Sequence, residues 1–218
     1  MTAFAKYYPQ EKMRSWVIAG CLFVVHSLYS MACASSRDDE RIEPVYDRET
    51  GRLQRLNYDA NKNGKVDTVS YMDGARVVRV EIDQDEDGKI ERWEYYGADQ
   101  KLEKVGFSRA NDGKEDGWLH IAPDGTTSRI EISTHRDGKV TRTEYYQKGV
   151  IVSAEEDDDA DGRVDKWETY DRAGRLVSVA FDTQHRGVPD RRLIYGVDGA
   201  GRLELDADGD GQFVPVKR

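Results

Sequence analysis

Residues 157–165 place carboxylates at positions 1, 3, 5 and 9 of a short stretch, with glycine at position 6. This spacing allows a loop to curl its oxygen atoms around one hard cation such as Ca²⁺. Glycine at position 6 permits the left-handed backbone that brings position 9 back toward position 1. Without a cation, four carboxylates in one tight turn would repel each other. The pattern therefore predicts a calcium-binding loop.

The same nine-residue pattern recurs along the chain. Residues 83–91 repeat it in full, and residues 59–67 repeat it with asparagine at positions 3 and 5. Four further loops are degenerate: 108–116, 133–141, 182–190 and 206–214. For these four, an ordinary Asp-Gly or similar hairpin turn without metal is the favoured interpretation. The last of them has well-spaced aspartates at positions 1, 3 and 5 but Val214 at position 9.

The glycine at position 6 returns at intervals of 24 or 25 residues. It is found at Gly64, Gly88, Gly113, Gly138, Gly162, Gly187 and Gly211. A fixed period in this range indicates a repeat architecture. Between the loops, apolar and polar residues alternate with the period of a β-strand. We therefore expect an all-β fold of seven hairpin repeats over residues 46–218. They would form a curved antiparallel meander, either a coiled sheet or a barrel-like one.

The alternation also predicts two distinct faces of the sheet. In the segment after the second loop, Trp93 and Tyr95 share one face and Arg92 and Glu94 share the other. We expect one face to be apolar and aromatic and its reverse to carry alternating charges. An EF-hand over residues 83–94 is disfavoured, because position 12 would lie about 10 Å further along a strand. Glu94 is predicted instead to pair with a basic neighbour.

The Asp-x-Asp-x-Asp-Gly-x-x-Asp loop between strands resembles the calcium loops of integrin-type FG-GAP repeats. In that family, the side chains at positions 1, 3, 5 and 9 and the carbonyl of position 7 bind Ca²⁺. Carried over by position, the resemblance implies Asp157, Asp159, Asp161, Arg163 (carbonyl) and Asp165; Asp83, Asp85, Asp87, Lys89 (carbonyl) and Glu91; and Asp59, Asn61, Asn63, Lys65 (carbonyl) and Asp67. The resemblance covers the loops only. The repeat is shorter than that family's unit, so the propeller fold is not implied.

The opposite turns carry a second resemblance. Residues Tyr170–Leu176 and Tyr46–Leu53 are similar to YD repeats of the RHS type, in which tyrosine and aspartate precede a Gly-Arg-Leu sequence. Such repeats are β-hairpins that build shells and extracellular surfaces. The other repeats of this chain keep only part of that pattern.

Residues 1–33 have the layout of an export signal, because basic residues precede an apolar run over 16–25. Cleavage after an Ala-x-Ala site at residues 32–34 would release a soluble product. Alternatively, Cys33 resembles the lipid-accepting cysteine of a bacterial lipoprotein, followed by a polar tether over residues 34–45. An uncleaved membrane anchor is the third option.

Composition limits the possible functions. The net charge of −9 argues against nucleic acid as a partner, because a phosphate backbone requires a basic surface. Both cysteines lie in the N-terminal segment, so the repeats can form no internal disulfide. The histidines at positions 120, 135 and 185 are isolated in the sequence, and no nucleophile or phosphate-binding motif is present. The sequence predicts a protein that is not an enzyme.

The function that these observations favour is structural calcium binding. We expect an exported repeat protein of the cell envelope, either an outer-membrane lipoprotein or a periplasmic protein, or an extracellular one. Its partners would be calcium ions and, through the lipid, a membrane. The alternative is a metal-independent surface scaffold or adhesion module that binds a protein or a glycan. It would bind through the charged face of the sheet or through exposed tyrosines such as Tyr96, Tyr146, Tyr170 and Tyr195.

Overall fold

The structure is a computed structural model, and it describes residues 42–196 and 199–216. The predicted targeting segment, including Cys33, lies outside the described residues, as does most of the predicted tether. The described residues form strands, turns and bends. Within this part of the chain, no helix is long and apolar enough to cross a membrane.

In residues 42–196 and 199–216, fifteen strands make up one sheet, in which each strand lies beside its neighbours in chain order. The strands are β1 (Ile42–Tyr46), β2 (Leu53–Tyr58), β3 (Thr68–Asp73), β4 (Arg76–Ile82), β5 (Arg92–Tyr96), β6 (Leu102–Phe107), β7 (Gly117–Ile121), β8 (Thr127–Ile132), β9 (Arg142–Gln147), β10 (Val150–Glu156), β11 (Lys166–Tyr170), β12 (Leu176–Phe181), β13 (Arg191–Tyr195), β14 (Gly201–Leu205) and β15 (Val214–Pro215). Each pairs antiparallel with the next. The predicted all-β meander of hairpin repeats is confirmed. Since β1 and β15 lie at opposite edges, the sheet is open rather than closed on itself.

The first strand begins inside the stretch 34–45 that the sequence predicts as a tether. Ile42 pairs with Tyr58, and Pro44 pairs with Leu56. Proline is compatible with this position because β1 is an edge strand, where a missing N–H leaves no ladder bond unmade. The strand array therefore begins before Tyr46.

The nine-residue loops all lie at one end of the strands, and the short turns lie at the other. This follows from the meander, because the loops connect each even-numbered strand to the next strand. The loops are also tied to each other through the backbone. The N–H at position 1 of one loop donates to the carbonyl at position 9 of the loop before it, as Asp83 does to Asp67 at 2.8 Å and Asp182 does to Asp165 at 2.8 Å. The candidate site residues therefore stand in one row along the sheet.

The prediction of an apolar face opposite a charged face is wrong. Val80 of β4 lies opposite Glu94 of β5, and Glu94 lies opposite Val105 of β6. The apolar residues of each second strand therefore share a face with the charged residues of each first strand. Trp93 lies on the reverse face, opposite Glu81 and Gly106. Strand alternation alone does not determine this arrangement; the register across each loop does, because a shift of one residue would exchange the two faces.

The hydrophobic core lies in the central strands β6 to β8. It consists of Val105, Phe107, Leu119, Ile130 and Ile132, all at most 4% exposed. Gly117 is required in this core, because a β-carbon there would lie 2.4 Å from two ring carbons of Phe107. One sheet therefore builds its core from side chains of adjacent strands on a single face.

Buried charges share that face with the core. Glu94, Glu144 and Glu168 are 7%, 0% and 9% exposed, respectively. Each accepts a hydrogen bond from the tyrosine two residues later, at 2.6 Å, 2.7 Å and 2.6 Å. Arg92 lies 2.7 Å from Glu94, which confirms the predicted pairing of that glutamate with a basic neighbour. Buried carboxylates remain tolerable in this sheet because cations and hydroxyl donors surround them.

The most connected member of this set is Arg142. Its guanidinium contacts Glu144 at 3.0 Å, Glu156 at 3.0 Å and Glu168 at 2.7 Å. Lys166 adds a contact of 2.8 Å to Glu168. Burial opposes ionisation of Glu168, but hydrogen bonds from Arg142, Lys166 and Tyr170 outweigh it and lower the pKa of that carboxyl to about 2. Ionised Glu168 therefore stabilises the folded state.

The low pKa of Glu168 predicts a loss of stability in acid. The folded-state pKa of Glu168 is depressed from 4.5 to about 2. The contribution of ionised Glu168 to the free energy of unfolding is therefore complete above pH 4.5 and disappears as the pH falls to 2. It amounts to at most about 3 kcal/mol. Urea unfolding between pH 6 and pH 2 should show a shallower pH slope in Glu168→Gln than in the parent protein. The control Glu103→Gln, at an exposed position, should retain the parent slope. Equal slopes in all three proteins would contradict the assignment.

Candidate metal centre

Two side chains close the nine-residue loop by accepting its backbone N–H groups. Position 1 accepts from the glycine at position 6, as Asp83 does from Gly88 at 2.9 Å. Position 9 accepts from the N–H of position 2, as Glu91 does from Gln84 at 2.5 Å. The first contact recurs at Asp59, Ser133, Asp157, Asp182 and Asp206, and the second at Asp67, Asp116, Thr141, Asp165 and Asp190. Each degenerate loop keeps at least one of these bonds, so positions 1 and 9 serve the turn itself.

The loop backbone also has a fixed left-handed residue at position 4. The residues there are Lys62, Glu86, Asn111, Arg136, Ala160, His185 and Gly209. The six that are not glycine have φ between 53° and 65°. Non-glycine residues adopt this conformation only where the surroundings impose it. Since both complete and degenerate loops share it, the conformation belongs to the repeat and not to a bound ion.

Position 5 has a structural bond as well, whereas position 3 distinguishes the loops by how rarely it carries a carboxylate. Asp87 accepts from the N–H of Lys89 at 2.9 Å, and Asp161 accepts from that of Arg163 at 2.8 Å. Position 3 carries a carboxylate only at Asp85, Asp159 and Asp208. These are the three loops in which three or more acidic side chains of the same loop converge.

The loop at residues 83–91 gathers the largest group. Asp83, Asp85, Asp87 and Glu91 offer carboxylate oxygens that all lie within 4.8 Å of one another. Oxygens on opposite sides of a Ca²⁺ ion are separated by up to about 5 Å, so this spread fits one calcium ion. The structure thus brings together all four side-chain ligands predicted for this loop.

Glu91 is the unusual member of this group. It is 4% exposed, and its Oε1 is buried without a hydrogen-bond partner among the described residues. Burial raises the pKa of Glu91 to about 7, against the hydrogen bond from Gln84 and with a further contribution from Asp85 and Asp83. A cation in the loop would compensate both the unpartnered oxygen and the repulsion among the carboxylates.

The loop at residues 157–165 divides its predicted ligands. Asp157, Asp159 and Asp161 form one group, whereas Asp165 forms another with Asp159 and His185. His185 Nδ1 lies 3.7 Å from both Asp159 Oδ2 and Asp165 Oδ1. His185 was missed as isolated in the sequence, because its partners belong to the preceding loop. Its place at position 4 is the signal that could have found it.

The loop at residues 59–67 meets a carboxylate from the next loop. Glu86 accepts hydrogen bonds from the side-chain amides of Asn61 and Asn63, the latter at 2.6 Å and 2.7 Å. Lys65 lies 3.4 Å from the same carboxylate. The side chains of Asn61, Asn63 and Lys65 therefore present donor groups to Glu86, while Asp59 and Asp67 accept from loop N–H groups.

Two of the degenerate loops differ in the groups that surround their carboxylates. In the loop at residues 108–116, Asp112 and Asp116 lie 2.5 Å and 2.8 Å from the guanidinium of Arg136, which belongs to the next loop. Arg136 there neutralises the carboxylates at positions 5 and 9. In the last loop, Asp206, Asp208 and Asp210 converge without a carboxylate at position 9.

No protein-family model matches the chain, and no curated protein matches it. Among solved structures, the crystal structure of TarM is similar with a TM-score of 0.37 and 14% identity, over 50% of this chain and 20% of TarM. A GtfA/B complex bound to UDP and GlcNAc is similar with a TM-score of 0.19 and 9% identity, over 82% of this chain and 29% of the chain in that complex. The structure of accessory secretory protein 1, 2 and 3 in Streptococcus pneumoniae is similar with a TM-score of 0.18 and 10% identity, over 80% of this chain and 20% of the matched chain. This chain spans less than a third of each, and likenesses this weak carry no argument about function.

The buried carboxylate of Glu91 predicts that one substitution has opposite effects on the free energy of unfolding in the absence and in the presence of metal. In the presence of a chelator, Glu91→Gln should raise the free energy of unfolding at pH 8 by about 1–3 kcal/mol, because an unpartnered buried charge is removed. In calcium, the same variant should lose the stabilisation that the ion gives to this loop. Urea unfolding with and without calcium would measure both effects. The exposed control Glu49→Gln should behave as the parent protein does. Destabilisation by Glu91→Gln in chelator would contradict the prediction.

Proposed function

We propose that the chain is a non-catalytic, exported repeat protein that holds Ca²⁺ structurally in its hairpin loops. The observation that carries this proposal is the group of four carboxylates at residues 83–91, with Glu91 buried and its Oε1 unpartnered. The donor set is entirely oxygen, which suits Ca²⁺ rather than a softer metal. Bound calcium would neutralise the loop and stabilise the folded state according to its concentration.

The proposal also assigns weaker or additional sites. The aspartate groups at residues 157–161 and 206–210 offer three convergent carboxylates each. The loop at residues 59–67 supports the proposal least, because its amides donate to Glu86. We therefore place the principal site at residues 83–91.

Calcium titration tests this function directly. Isothermal titration of the purified protein should show about two to three sites with dissociation constants of about 10⁻⁴–10⁻³ M, as in extracellular calcium modules. The melting temperature should rise with calcium and fall on chelation. The double variant Asp85→Asn/Asp87→Asn should lose one site, and the matched pair Asp47→Asn/Asp99→Asn, on the opposite turns, should lose none. Absence of heat together with an unchanged melting temperature would exclude the function.

We further propose that Cys33 carries a lipid and tethers the repeats to the cell envelope. Support comes only from the sequence, in which an apolar run precedes the cysteine and a polar segment follows it. Mass spectrometry of the mature protein from membranes should find an N-terminal acylated Cys33. An unmodified N-terminus at Ser35, or an intact first residue, would contradict lipidation while leaving calcium binding unaffected.

A second candidate is a metal-independent surface scaffold. It is favoured by the degenerate loops, in which Ser133 and Thr141 make the same closing bonds as the carboxylates elsewhere. Retained partner binding in the presence of a chelator, with no calcium-dependent change in stability, would favour this scaffold over the calcium-binding protein.

A further inference from the structure

The side chain at position 4 of a loop can reach back to the loop of the preceding repeat. Glu86 contacts Asn61 and Asn63, and Arg136 contacts Asp112 and Asp116. His185 lies near Asp159 and Asp165. The reach follows from the left-handed backbone at position 4, which the repeats share. Each loop can therefore receive a side chain from the next repeat.

For the principal acidic group, that side chain is Asn111. Its Nδ2 donates to Asp85 Oδ2 at 2.8 Å, and Asp85 belongs to the group with Asp83, Asp87 and Glu91. The independent indication that this group takes a ligand is the buried Oε1 of Glu91, which lacks a hydrogen-bond partner in the part of the chain that the structure describes. Asn111 is thus the one position-4 side chain that delivers a neutral amide to a group of four carboxylates.

We propose that Asn111 supplies a ligand to this cation from the next repeat, so that the ion bridges two adjacent repeats. The proposal rests on calcium binding at residues 83–91 as argued above. Asparagine carries a carbonyl oxygen opposite its NH₂ group, and rotation of the amide by about 180° exchanges them. Without an ion, the NH₂ group faces Asp85; with an ion, the oxygen faces the metal. Ca²⁺ commonly accepts such an amide oxygen beside carboxylates.

The bridging ion would act differently from an ion held within one hairpin. It would connect the loop between β4 and β5 to the loop between β6 and β7, whose backbones already meet where Ser108 N–H donates to Glu91 O at 2.9 Å. Ion binding would thereby resist the separation of neighbouring repeats. In a repeat array, the interface between neighbouring repeats transmits cooperativity.

Terbium, a luminescent substitute for Ca²⁺, provides the test. The full-length protein would carry Asp159→Asn and Asp208→Asn to disable the other two groups. In this background we would measure Tb³⁺ affinity and the number of bound waters, the latter from luminescence lifetimes in H₂O and D₂O. Asn111→Gly is the informative variant, because glycine occupies position 4 naturally at Gly209 with φ of 77°. Lys62→Gly is the matched control, at position 4 of the first nine-residue loop.

Asn111→Gly should add one bound water and weaken Tb³⁺ binding roughly tenfold, while Lys62→Gly changes neither. Asn111→Asp should keep the parent's water count and bind more tightly, because a carboxylate replaces the amide at the same place. Unchanged water count and affinity in Asn111→Gly would overturn the inference and leave calcium binding intact. Weaker binding with an unchanged water count would also overturn it, since Asn111 would then only position Asp85. If the parent loop bound no Tb³⁺, the proposed function would fail first.

Discussion

The repeat depends on the need to satisfy the N–H groups of a tight nine-residue loop. Positions 1, 5 and 9 accept these N–H groups through side-chain oxygens, as Asp83, Asp87 and Glu91 do. Unpaired backbone donors in such a loop would cost about 1–3 kcal/mol each where water cannot reach them. The acidic residues therefore have a structural use before any ion binds. Serine and threonine can replace them at Ser133 and Thr141 because a hydroxyl accepts the same bonds.

This constraint also determines the faces of the sheet. With the loop closed in one conformation, the strands on either side meet in one register, and Val80 lies opposite Glu94. The sheet must then bury glutamates beside its core, which it does with tyrosine hydroxyls and with Arg142. The same face thus holds both the apolar packing and the ion pairs, and the strands remain in one layer.

The fold could be predicted further than the site could. Alternation and the glycine period give the hairpins, the meander and the row of loops, because both signals are local to one repeat. The pairing of Val80 with Glu94 could not be predicted, because it depends on geometry across a loop. His185 was missed for a related reason: its partners Asp159 and Asp165 lie in the preceding repeat. Contacts between repeats require the register, which the pattern within one strand does not contain.

At two loops, the charge of the side chain at position 4 complements the groups of the preceding loop. The loop with two asparagines and Lys65 receives the carboxylate of Glu86, and the loop with Asp112 and Asp116 receives the guanidinium of Arg136. In both, position 4 supplies the opposite charge, and Glu86 is also the acceptor for the two asparagine amides. The loop at residues 83–91 receives only a neutral amide, although it holds four carboxylates. The ammonium of Lys89 lies 3.0 Å from Asp87 and offsets one of these charges. The group still carries a net negative charge, and the proposed divalent cation is the complement that its geometry would accept.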